Sequence, residues 1–159
     1  MNNMTTQLIN ASRTGNIDEL QNLIALNPEL NAADDKGYTP LIIACYNNRY
    51  EAAKLLIDAG ANVNAADLGG NTALMGASFK GYADIAELLI INGANLNLQH
   101  GNGGTALMFA AMFGRNEIVA LLLKYGADLH KLDVRGLSAF DLAAQQGNED
   151  AISLLEQYV

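Results

Sequence analysis

Residues 33 apart in this chain match one another too often for any fold that is not itself periodic. Thr39, Thr72, Thr105 and Ser138 stand at that interval, as do Gly60-Ala61, Gly93-Ala94 and Gly126-Ala127. The leucine pairs Leu55-Leu56, Leu88-Leu89, Leu121-Leu122 and Leu154-Leu155 keep the same register. A period of this length marks stacked units, each unable to bury its own apolar face without a neighbour. The rows divide the 159 residues into five units of one domain: 1–33, 34–66, 67–99, 100–132 and 133–159.

The third row shows what each unit contains. Gly69 and Gly70 suit a turn, because glycine accepts positive φ without a steric penalty. Thr72 follows as an N-cap whose hydroxyl can take a free backbone N–H. Leu74 and Ala77 fall at helical spacing, so the pattern predicts a short helix over 73–80, stopped by Gly81. A second helix starts at Tyr82 or Ala83 and runs to Ile91, with Ile85, Leu88 and Leu89 on its buried face. Gly93 ends it. In the second row Pro40 occupies the first helical position, where its missing N–H costs nothing. Asn48 replaces the glycine between the two helices and tolerates the same left-handed backbone.

The end rows differ. The first lacks the turn glycine and the Thr-Pro pair, has Asn27-Pro28 where others have Gly-Ala, and carries Asn10, Ser12, Gln21 and Asn22 on its helices. The last is polar at Gln145, Gln146, Glu149 and Asp150. Terminal units with one face to water carry such residues. The expectation is a stack capped at both ends, hence a complete protein.

A unit reading Gly-x-Thr-Pro-Leu, then Ala, Gly, Ile-x-x-Leu-Leu and Gly-Ala-x-x-Asn resembles the ankyrin repeat, and the likeness covers essentially the whole chain. The resemblance implies an all-α solenoid of β-turn and helix-turn-helix units, stacked into a slightly curved slab that binds another protein. It also implies that turn tips and the exposed side of each first helix line a concave groove. The family's histidine after Thr-Pro-Leu is replaced by Ile42, Met75, Met108 and Asp141, so each unit is expected to lose a polar anchor.

Composition narrows the function. Half of the residues are hydrophobic and 16% are charged, with a net charge of −8. The nine lysines and arginines are scattered singly, whereas a nucleic-acid surface needs cations that converge. Nucleic acid is not an expected partner. Runs such as 88–91 and 119–123 are too short to span a bilayer. The first twenty residues lack a basic segment followed by an apolar one. A cytoplasmic protein without membrane contact is expected. The single cysteine, Cys45, reads as core filling in an alanine-rich stretch.

Candidates for chemistry are few. His100 takes the register position of Asp34, Asp67 and Asp133, and side chains on stacked units about 8–10 Å apart form a ladder, not a coordination sphere. Asn31, Asn64 and Asn97 recur at unit ends, with His130 in the same place, and read as side chains bonding nearby backbone. Gly101-Asn-Gly-Gly lacks the lysine of a phosphate loop and reads as a loose turn tip. No metal, cofactor or catalytic set is predicted. A metal protein or enzyme built on His100, His130 and Asp133 is the less favoured rival.

The informative variation lies where the repeat makes no demand of its own. Tyr38, Leu68, Asn71, Asn102 and Arg135 stand in the turns; Tyr46, Asn47, Phe79, Lys80, Met112 and Phe113 stand near the ends of the first helices. Tyr46, Phe79, Met112 and Phe113 make an aromatic, apolar stripe, whereas the end rows place Arg13 and Gln145 there. These eleven residues are the expected partner-binding surface. The expected role is that of a monomeric regulator or inhibitor of another protein, with a structural or self-assembling scaffold as the alternative.

Overall fold

The computed structural model describes residues 1–159 as ten helices and no strand. In chain order they are α1 Asn3–Thr14, α2 Ile17–Ile24, α3 Pro40–Tyr46, α4 Tyr50–Asp58, α5 Ala73–Lys80, α6 Ala83–Ile91, α7 Ala106–Met112, α8 Asn116–Lys124, α9 Ala139–Gln145 and α10 Glu149–Glu156. Consecutive helices pack as pairs. Odd-numbered helices also pack on one another in a row, and even-numbered helices form a second row behind them. The predicted spans 73–80 and 83–91 are the observed α5 and α6.

Small residues explain why the first-helix row packs more closely than the second. Ala44, Ala77, Ala110 and Ala143 are fully buried along it and let backbones approach. The second row is separated by Ile85, Ile118 and the larger leucines, also buried. A stack narrower on one side must bend towards that side, so the first helices and turns face inward. One buried apolar cluster runs from Leu8 to Leu155 without a break between units. No helix is long and apolar enough to cross a membrane.

The leucine pairs are not equivalent. Leu56, Leu89, Leu122 and Leu155 are fully buried, but Leu55, Leu121 and Leu154 are only half-buried. The second leucine of each pair belongs to the continuous core, whereas among the first leucines only Leu88, 5% exposed, is buried.

Capping follows the register. The hydroxyls of Thr39, Thr72 and Thr105 accept the N–H of Ile42, Met75 and Met108 at 3.2–3.3 Å. Ile42, Met75 and Met108 are buried, so in these units apolar packing stands where the family has a polar anchor. The expectation of a lost anchor fails in the last unit. Asp141 accepts the Ser138 N–H at 2.9 Å while Ser138 Oγ accepts the Asp141 N–H, a reciprocal capping box.

Helices α4 and α8 have no side-chain cap at their N-termini. The arginines at those positions turn back to the preceding unit. Arg49 Nε donates to the Arg13 carbonyl and Arg115 Nε to the Phe79 carbonyl, each at 3.0 Å. Asn148 does the same for Ala111 at 2.9 Å. The last carbonyls of a helix have no partner within it, so each such bond satisfies an orphan acceptor and ties neighbouring units together.

Candidate binding face

The turns form a connected edge. Leu68 N–H donates to the Lys36 carbonyl, Gly101 N–H to Gly69 and Val134 N–H to Asn102, at 2.9–3.1 Å. Each tip is thereby bonded to the tip before it. The glycines at 101–104, read from sequence as loose, serve close approach instead. A Cβ on Gly103 would lie 2.8 Å from Asp133 Cα, and one on Gly104 would lie 2.8 Å from the His100 ring.

His100 takes over one of the two turn bonds made by the aspartates in its register. Asp34, Asp67 and Asp133 each accept two backbone N–H groups of their own turn through Oδ1. In the fourth row His100 Nδ1 accepts the Gly104 N–H at 2.9 Å, and its ring meets Phe109 edge to face. The bonds from Leu137 and Arg135, aided by the Arg135 guanidinium, hold the Asp133 carboxyl below the usual carboxylate range. No group of three or more His, Cys, Asp or Glu side chains is placed to hold a metal ion. His130 is exposed, with its own N–H on Asp128.

The recurring asparagines bond backbone, as expected, but in the next unit and not in their own turn. Asn31, Asn64 and Asn97 accept, through Oδ1, the N–H of Asn62, Asn95 and Asp128 in the following unit at 2.7–2.8 Å. They join neighbouring units from positions three residues before Asp34, Asp67 and His100.

Two clefts open on the turn and first-helix face. The first, of about 340 Å³, is lined by Tyr38, Tyr46, Asn71 and Phe79 from the expected set. Asp67, Ile43, Gly76 and Phe109 are also in its wall. The second, of about 370 Å³, is lined by Asn102, Met112 and Arg135 from that set, together with His100, Phe109 and Asp133. Phe109 belongs to both.

The remaining expected residues lie around these clefts. Lys80 Nζ stands over the Tyr46 ring, 4.8 Å from its centroid. Phe113 is exposed and meets Phe79 edge to face at 4.7 Å. Leu68 is 81% exposed at a turn tip and lines neither cleft. Asn47 is exposed, also lines neither, and donates to the Ile43 carbonyl of its own helix.

Sequence reasoning missed Phe109, Gly76 and Asp67. Phe109 precedes Met112 by three residues and so shares its helix face, a signal that was available. Gly76 is in register with Ile43, Phe109 and Leu142. A glycine within a helix costs about 0.5–1 kcal/mol relative to alanine. Here it leaves room for Tyr46, whose Cδ1 would lie 3.2 Å from a Cβ at that position.

Turn-helix-helix bricks, with orphan carbonyls bonded between units and clefts along one edge, define an all-α repeat solenoid. The family model described as "Ankyrin repeats (3 copies)" matches residues 8–100 and again 74–158, and the chain belongs to the ankyrin-repeat family. Ankyrin repeats are, as a class, protein–protein interaction modules. No curated protein matches the chain.

Proposed function

We propose that this chain binds a partner protein across its turn and first-helix face, and that it acts as a regulator or inhibitor by covering part of that partner. The single observation that carries the reading is the continuity of the aromatic stripe. Lys80 lies on Tyr46, Tyr46 and Phe79 share a cleft, and Phe79 packs on Phe113. Tyr46 and Phe113 are exposed and Phe79 between them is half-buried, and surface aromatics held together without filling the core are residues that anchor interfaces. The bonded turn edge supports rigid presentation, so little ordering entropy is lost on docking. Under this reading the protein needs no cofactor, performs no catalysis, acts as a monomer and works in the cytoplasm.

Native protein and a Phe79→Ala/Phe113→Ala double variant, used as paired baits, test the proposal. A partner retained by the native bait and lost by the variant supports it. Equal capture by both removes the stripe from the interface. Sedimentation across concentration tests the scaffold alternative, with a monomer expected throughout.

A further inference from the structure

Four aromatic rings, those of Tyr38, Tyr46, Phe79 and Phe109, line the first cleft, and Asp67 is its one carboxylate. Its volume of about 340 Å³ is at the small end of ligand pockets, which run roughly 300–1,000 Å³. That is room for one large side chain and not for a folded element.

Several observations set the sign of the occupant. The Tyr46 ring already holds the Lys80 ammonium at 4.8 Å. Lys80 is paired with no carboxylate, since the ion pairs of the chain are Lys54–Asp58 and Arg135–Asp133. Asp67 commits Oδ1 to the N–H groups of Gly69 and Asn71, and its Oδ2 meets only the Asn71 amide, at 3.3 Å. The whole chain carries −8. In the second cleft the corresponding acid, Asp133, is covered by Arg135 at 3.2 Å, so that cleft offers no similar preference.

We propose that the first cleft seats an arginine side chain from a basic segment of the partner protein. A guanidinium stacks on aromatic faces and presents paired N–H donors to a carboxylate; an ammonium cannot do both at once. Lys80 is then an internal cation that the arriving guanidinium displaces from Tyr46. The inference rests on the reading that this face docks a protein.

Titration of the ¹⁵N-labelled full chain with N-acetyl-arginine methylamide, followed by amide shifts, tests it. N-acetyl-lysine and N-acetyl-leucine methylamides are the comparison probes. Saturable shifts centred on Gly76, Tyr46, Asn71 and Phe79 are expected, with the leucine probe about tenfold weaker. Asp67→Asn keeps the Oδ1 acceptor for the turn and removes the charge. It should weaken arginine severalfold and leave leucine unchanged. Lys80→Gln should tighten arginine, because a competing cation is gone, whereas an apolar occupant would gain nothing. Gly76→Ala should abolish the shifts without lowering the melting temperature.

Equal binding of leucine and arginine, or indifference of arginine binding to both Asp67→Asn and Lys80→Gln, overturns the proposal. The paired baits separate the two failures. A stripe-dependent partner with no arginine preference in the cleft leaves the docking reading intact. An arginine-selective cleft beside stripe-independent capture removes the docking reading instead.

Discussion

Phe79 and Phe113 meet edge to face with ring centroids 4.7 Å apart and planes at 76°, yet they occupy different columns of the repeat. Phe113 aligns with Lys80, and Phe79 aligns with Met112. The pair therefore forms diagonally across neighbouring first helices. Edge-to-face geometry sets the positive rim of one ring against the negative face of the other. It holds both aromatics on the inward face without drawing Phe113 into the core, where it remains 42% exposed.

Such a pair contributes about 0.5–1.5 kcal/mol beyond its buried area. Phe113→Ala is expected to lower unfolding free energy by roughly that amount, and to weaken partner binding by about 1–3 kcal/mol if the stripe is the interface. Urea denaturation beside partner affinity measures both. A loss of stability above about 3 kcal/mol would place Phe113 in the core instead.

The leucine pairs allow an internal control. Leu122→Ala leaves a cavity at a fully buried site and should cost about 2–5 kcal/mol. Leu121→Ala, at a half-buried position, should cost less than half as much. Denaturant midpoints at unchanged slope decide between them, and equal losses would contradict the observed burial.

Asn48 has φ +58° between α3 and α4, where other units place glycine. A residue without the tolerance of Asn or Gly pays about 1–2 kcal/mol for that backbone. Asn48→Ala should therefore destabilise by about 1 kcal/mol, while Asn48→Gly should change stability little. Thermal melts of the two variants give the comparison.

Gly81 and Gly114 share a left-handed backbone but differ in surroundings. A Cβ on Gly81 would lie 2.9 Å from Arg115 Cδ, whereas one on Gly114 would meet nothing within 4 Å. Gly81→Ala adds displacement of Arg115 from the Phe79 carbonyl to the backbone strain. It should cost about 1 kcal/mol more than Gly114→Ala, as one net hydrogen bond is worth. In an Arg115→Ala background, where that bond is already absent, Gly81→Ala and Gly114→Ala should cost about the same.

Burial pushes the Cys45 thiol up to about 12 from an ordinary value of 9.0. The folded state then keeps its proton where the unfolded chain loses it. Stability from this group is complete below pH 9 and falls by about 1.4 kcal/mol per pH unit as pH rises towards 12. Alanine stands in the same column at 111 and 144, so Cys45→Ala should fold and show a shallower alkaline decline. The native thiol should also resist a disulfide reagent at neutral pH until the chain is unfolded.

The brick was readable residue by residue. Thr72 as cap, Pro40 at the first helical turn, Asn48 in glycine's place and the α5 and α6 spans all rest on local backbone preferences, which a repeated sequence prints several times over. The surface position of Tyr46 and Phe113 was readable too, because the end rows place polar residues in those registers. The clefts were not. Gly76 looked like a weak helix residue until the ring of Tyr46 stood beside it, and Asp67 looked like any other turn acid.

Local preference and a 33-residue period are short-range properties, so the chain alone established which segments are helical, how they are capped and that neighbouring units stack. Which leucine of a pair is core and which aromatics share a void depend on how adjacent units meet. Those relationships span 30 or more residues and arise from side-chain shape at the unit boundary, which no single repeat carries.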